Sequence, residues 1–139
     1  MLEVNKITKI LYVDDDEIML ENFKSMFSSR YEIITTDCPL KALKKLMSHD
    51  VQIIISDQRM PKMTGIELFT EILKTRPNPI RILLTGFTDL DVIIDAINQG
   101  HIYYYLRKPF SFDQMLKILI NASKLYHLRK SSTDALKIT

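Results

Sequence analysis

Four short groups of residues carry side chains suited to phosphate and metal chemistry: Asp14-Asp15-Asp16, Asp57, Thr85-Gly86 and Lys108-Pro109. Each stands at the end of a short apolar run. Several carboxylates gathered in one pocket repel one another, and a bound cation is the simplest relief. Mg²⁺ takes oxygen ligands in an octahedron and keeps several waters. Asp15 and Asp57 offer one oxygen each, and a backbone carbonyl just after Asp57 offers a third. A lysine and a hydroxyl, Lys108 and Thr85, would hold the oxygens of a phosphoryl group. Phosphoryl transfer needs mainly positioning and charge neutralisation, and a carboxylate is a competent nucleophile that forms an aspartyl phosphate.

Each residue also has an ordinary explanation. Asp14 to Glu17 suit a helix N-terminus. Asp57 suits a turn, Lys108 suits solvent, and Thr85 alone says little. The case for a site therefore depends on whether the fold brings the four groups together.

The chain alternates strand-like and helical patterns. Ile10–Val13, Tyr31–Thr35, Val51–Ile55, Ile80–Leu84 and Ile102–Leu106 read as strands. The third is apolar almost throughout, as expected of a strand covered on both faces. Between them, helical stripes appear: Met19, Phe23, Met26 and Phe27; Ala42, Leu43, Leu46 and Met47 after Pro39; a helix over Ile66–Lys74 ended by Pro77 and Pro79; and Leu90, Ile93, Ile94 and Ile97, closed by Gly100. Thr88 and Asp91 resemble the start of that fourth helix. Ser111 with Gln114 has capping-box spacing, and Phe112, Met115, Leu116, Leu119 and Ile120 are expected to face the core in the last helix. Five βα units in series predict an α/β fold, a parallel sheet with helices on both faces. Right-handed crossovers favour the doubly wound order 2-1-3-4-5, with a site at the carboxyl ends of the strands. All four groups lie there.

Composition sets the frame. The chain has 139 residues, 46% hydrophobic and 26% charged, enough for one domain with a single core. A net charge of +2 gives no argument for nucleic acid or an anionic membrane. The apolar runs are too short to cross a bilayer. With only Cys38, no internal disulfide can form, and a soluble, cytoplasmic protein is expected. Cys38 reads as structural. His49, His101 and His127 form no metal pattern, and Lys41, Lys44 and Lys45 read as a solvated helix face. The aromatic cluster from Tyr103 to Phe112 reads as strand alternation and packing. After about His127 the chain turns polar, which reads as a loose tail or linker, with Arg129 more suited to a linker than to nucleic acid.

As a set, Leu11-Tyr12-Val13-Asp14-Asp15, Ile55-Ser56-Asp57-Gln58-Arg59-Met60-Pro61, Met63-Thr64-Gly65, Leu84-Thr85-Gly86 and Tyr105-Leu106-Arg107-Lys108-Pro109-Phe110 resemble the receiver domain of two-component response regulators. The likeness runs from about residue 8 to 125. It implies a flavodoxin-like (βα)5 fold with Asp57 as phosphoacceptor. Asp15 would be a direct Mg²⁺ ligand, Asp14 its partner through water, and the Arg59 carbonyl the third protein ligand. Lys108, Thr85 and Gly86 would bind the phosphoryl group, Thr85 and Tyr105 would act as switch residues, and a cis peptide would join Lys108 to Pro109. It further implies a sensor histidine kinase as phosphoryl donor. The helix at Leu90–Asn98, the fifth strand and the last helix would form the surface for a homodimer or an output domain.

On this reading residues 1–127 form the receiver, and residues 128–139 are a polar tail or the start of a linker. The chain is then either an excised receiver or a free-standing one. Finer likenesses, in Arg81–Gly86 and Ala96–Tyr103, point to receivers joined to hydrogenase-type transcription regulators or to cyclic-di-GMP phosphodiesterase domains.

Three other functions are compatible with parts of the sequence. A Mg²⁺-dependent phosphatase with an aspartyl nucleophile needs a second acid two residues on, where this chain has Arg59, which cannot serve as acid and base. A flavin carrier needs amides and hydroxyls after the first strand, where Asp14, Asp15 and Asp16 would repel phosphate. A pure interaction module differs only in whether phosphate changes its binding.

Overall fold

The computed structural model describes residues 7–86 and 90–138. Ten elements alternate along the chain: β1 (Lys9–Val13), α1 (Glu17–Phe27), β2 (Glu32–Thr36), α2 (Pro39–Ser48), β3 (Ile53–Asp57), α3 (Gly65–Thr75), β4 (Ile80–Thr85), α4 (Leu90–Asn98), β5 (Tyr104–Arg107) and α5 (Phe112–Ile138). The strands form one parallel sheet in the order β2-β1-β3-β4-β5, the doubly wound topology expected from the pattern. β3 and β4 are buried along their whole length, and the edge strands β2 and β5 are not.

Side chains alternate across the strands and divide the core into two layers. Ile10, Tyr12, Ile53, Ile55, Ile82 and Leu84 pack beneath α1 and α5, against Phe23, Phe27, Met115 and Leu119. Leu11, Val13, Ile54 and Leu83 pack beneath α2, α3 and α4, against Ala42, Leu46, Leu68, Phe69, Ile72, Ile93 and Ala96.

The helix boundaries follow local chemistry. Asp16 caps α1, its carboxylate accepting from the N–H groups of Ile18 and Met19. Pro39 occupies the first turn of α2. Thr64 and Glu67 form a capping box on α3, and Ser111 and Gln114 form the expected one on α5. α4 ends in a Schellman turn: Gly100 has φ 78°, and the His101 N–H reaches the Ala96 carbonyl at 2.8 Å.

Three expectations change. The third and fifth strands lie about two residues further on, so Asp57 is the last residue of β3 rather than a residue beyond it. The helical stripes are narrower than read: Met26, Met47, Leu90, Ile94, Ile97 and Ile120 are exposed, while Leu20, Ala96 and Ala122 take buried places. A helix on one face of a sheet buries a limited arc, and the arc is fixed by the sheet rather than by which residues are most apolar. Finally, the segment after His127, read as a loose tail or a linker, is helical, since α5 continues to Ile138. Neither glycine nor proline occurs between residues 110 and 139, so nothing in the backbone chemistry stops the helix.

One buried cation ties the amino-terminal side of the sheet together. Arg81 on β4 is 2% exposed. It donates to the carbonyls of Pro77, Pro79, Gly100 and His101 at 2.9–3.1 Å. Its guanidinium carbon lies 5.1 Å from the ring centre of Tyr103. Arg129 of α5 also lies 5.1 Å from that ring and donates to its hydroxyl.

Candidate functional site

The carboxyl ends of β1, β3, β4 and β5 meet as the order requires. Asp14 and Asp15 follow β1, Asp57 closes β3, Thr85 closes β4 and Lys108 follows β5. The carboxylates of Asp14, Asp15 and Asp57 each place an oxygen within 4.8 Å of the others. Asp14 and Asp57 are buried and Asp15 is exposed. Asp16, by contrast, is occupied with its cap, so the helix-start explanation holds for the third acid.

Lys108 Nζ lies 2.9 Å from Asp14 Oδ2 and 3.4 Å from Asp57 Oδ2. Asp14 accepts two further hydrogen bonds: the Tyr12 hydroxyl donates to Oδ2 at 2.7 Å, and the Asp16 N–H donates to Oδ1 at 3.0 Å. Burial pushes the Asp57 carboxyl above the usual aspartate range; Lys108 pulls it down, while Asp14 and Asp15 push it up. Burial works against the Lys108 ammonium, but the contact with Asp14 and the charge of Asp57 hold its pKa above the ordinary lysine value. Burial, then the charge of Asp14, raises the Tyr12 hydroxyl. The pocket is thus short of positive charge and has a half-buried lysine already in place.

The loop after Asp57 is held from two sides. The Gln58 N–H donates to the Leu84 carbonyl at 2.8 Å, and the Gln58 side-chain oxygen accepts from the Ile66 N–H at 3.0 Å. The Ser56 hydroxyl donates to the Asp57 carbonyl at 2.8 Å. Lys62, in the same loop, adopts φ 75°. Arg59, the expected carbonyl ligand, is exposed within this tethered segment. On the other side the Lys108 N–H donates to the Thr85 carbonyl at 2.9 Å, and the Lys108–Pro109 peptide is cis.

Thr85 is buried and Tyr105 is 39% exposed. The β4–β5 register pairs Leu83 with Tyr105 and Thr85 with Arg107, so Thr85 and Tyr105 project from the same face of adjacent strands. Gly86 follows Thr85 and is exposed. Phe87 and Thr88 lie outside the described residues.

Sequence reasoning passed over Tyr12, Gln58 and Gly65. Tyr12 was available as a hydroxyl two residues before Asp14 in an otherwise aliphatic strand, hence on the same face. Gln58 and Gly65 carry no such signal, because their roles depend on contacts across the β3–α3 loop.

The response regulator receiver domain model matches residues 10–120. The hydrogenase transcriptional regulatory protein HoxA of Bradyrhizobium diazoefficiens is 30% identical over 91% of this chain and 26% of its own length. The chain therefore spans about a quarter of the curated relatives it matches. The signal receiver domain of an HD domain-containing protein from Pseudomonas fluorescens Pf-5 is 34% identical with a TM-score of 0.87, over 94% of this chain and 97% of that one. The response regulator TrrA of Thermotoga maritima, solved in complex with Mg²⁺-BeF, is 29% identical with a TM-score of 0.75, over 84% of this chain and 99% of that one. Among the described residues, no helix is long and apolar enough to cross a membrane. Fold order, strand-end residues and family match converge, and the chain belongs to the response regulator receiver domain family.

Proposed function

We propose that this chain accepts a phosphoryl group on Asp57 in a Mg²⁺-dependent reaction and changes its interaction surface as a result. The observation that carries the reading is the placement of Lys108 Nζ between Asp14 and Asp57, with all three carboxylates within 4.8 Å. Asp15, Asp57 and the carbonyl of Arg59 would hold Mg²⁺, with Asp14 contributing through water. Bound there, the cation neutralises the acids and the charge that develops on the transferring group.

A carboxylate oxygen of Asp57 attacks phosphorus, and the bond to the donor breaks. From a phosphohistidine, the P–N electrons return to the imidazole, which takes a proton. Lys108, the Thr85 hydroxyl and the Gly86 backbone receive the phosphoryl oxygens. The chain is a phosphoacceptor rather than a turnover catalyst, with a sensor histidine kinase as donor in the cytoplasm. Thr85 would move toward the phosphoryl group and Tyr105 would turn inward behind it. That movement would alter the surface of α4, β5 and α5 used for a second copy or an output domain. Residues 1–127 form the receiver in this reading, and residues 128–139 are a polar tail or linker, helical as far as Ile138.

The test is incubation with acetyl phosphate and Mg²⁺, followed by intact-mass spectrometry. One added phosphoryl group is expected, lost in Asp57→Asn and on chelation of the metal. Equal labelling of Asp57→Asn would overturn the assignment.

A further inference from the structure

We propose that Tyr12 is a positioning residue of the acidic crevice, its hydroxyl keeping Asp14 in place when Lys108 turns from Asp14 to a phosphoryl group on Asp57. The inference rests on the reading of Asp57 as acceptor and adds a residue to it.

The ring of Tyr12 belongs to the core. It is fully buried, and its centre lies 4.6 Å from that of Phe23. A phenylalanine would fill the same space. The hydroxyl is what packing alone does not require, and a buried hydroxyl is costly unless bonded. Its partner is Asp14 Oδ2 at 2.7 Å, a carboxylate that is itself wholly buried. The arrangement follows from the strand: residues 12 and 14 share a face, and β1 is hydrogen-bonded on both sides by β2 and β3.

Asp14 Oδ2 has two donors, Tyr12 and Lys108, while Oδ1 has the Asp16 N–H. Without a phosphoryl group, Lys108 stands closer to Asp14 than to Asp57, at 2.9 against 3.4 Å. The acyl phosphate carries roughly two negative charges where the Asp57 carboxylate carried one, now placed on the phosphoryl oxygens, and the ammonium is drawn to them. Asp14 then loses its direct contact with the ammonium while remaining buried. A buried carboxylate stripped of a partner is strongly destabilised. Tyr12 already bonds the oxygen that Lys108 leaves, from a ring that the core prevents from moving. The carboxylate thus keeps its orientation toward the metal through the transfer.

Tyr12→Phe separates this role from packing, because it keeps the ring. Calorimetric titrations would measure Mg²⁺ alone, then beryllofluoride as phosphoryl mimic at saturating Mg²⁺. With Mg²⁺ alone, Lys108 and the Asp16 N–H still hold Asp14, so the loss is small. With beryllofluoride, affinity should fall about tenfold, as for one hydrogen bond to a charged group. In an Asp14→Asn background, Tyr12→Phe should add at most about twofold to the beryllofluoride loss, the ordinary limit of additivity error. A parent protein that takes up neither probe overturns the acceptor reading and this inference with it. A parent that binds both, beside a Tyr12→Phe variant whose losses are equal for the two probes or absent, overturns only the role of Tyr12.

Discussion

Gly65 stands so close to the backbone of Asp57 that a Cβ added there would lie 2.6 Å from the Asp57 carbonyl oxygen, and 2.7 Å from Leu83 Cδ1. The first residue of α3 is thereby pressed against the last residue of β3. Gly65→Ala should push the two apart and destabilise the fold by about 1–3 kcal/mol, the usual cost of overpacking. Urea unfolding measures the loss, and the variant should also take up phosphate from acetyl phosphate more slowly. Unchanged stability and rate would show that the loop yields freely.

The raised pKa of Asp57 makes the metal-free fold sensitive to pH. Because the folded state binds the Asp57 proton more tightly than the unfolded chain does, this group favours folding at low pH. That contribution is lost as pH rises from the unfolded aspartate value, about 3.9, through the raised folded value. At neutral pH the ionised carboxylate opposes folding, so Asp57→Asn should melt higher than the parent without Mg²⁺. The difference should close as pH falls below the ordinary aspartate range. Melting curves across pH, with and without the metal, would check both the sign and the window.

Arg59 is exposed two residues beyond Asp57, the proposed acceptor. A long cation there can pair with the phosphoryl group and shield it from an in-line water. Arg59→Ala should lose its phosphoryl group faster than the parent. An equal or slower decay, followed by mass spectrometry after donor removal, removes Arg59 from this role.

Thr85→Ala should still be phosphorylated but should leave Tyr105 in its outward position. Buried Thr85 and the half-exposed Tyr105 ring share one face of neighbouring strands, and on the proposed switch movement of the first would open room for the second. Ring resonances of Tyr105, recorded with and without beryllofluoride, should shift in the parent and stay fixed in the variant. A shift of equal size in both would separate Tyr105 from Thr85.

The sheet order and the meeting of four strand ends were legible because both depend on local patterns: apolar runs, helix punctuation, and short polar groups at fixed places. What was not legible depends on distant partners. Arg81 reads in sequence as a charge in a strand, and only contacts with residues 77, 79, 100 and 101 explain its burial. Met47 reads as core because it is apolar and correctly spaced, yet it is 80% exposed, while its neighbour Leu46 takes the buried place. The helical state of the segment after His127 was not legible for a related reason. Polarity argues against burial, and α5 beyond His127 needs none in order to stay helical.

Arg81 itself should tolerate little. Its charge faces four carbonyls, and among the described residues no acid pairs with it. Arg81→Met would leave those oxygens without their donor and should lower stability by about 2–4 kcal/mol, measured by urea unfolding. A loss below about 1 kcal/mol would mean that water replaces the guanidinium at no great cost.

Tyr103, held between Arg81 and Arg129, gives α5 a fulcrum. Beyond residue 129 the helix runs on to Ile138, about 14 Å at 1.5 Å per residue. A rotation of the domain-bound part that is too small to disturb the core becomes a displacement at the far end, in proportion to that arm. Any partner joined to the end of α5 would read the angle of the helix, not the chemistry of the crevice.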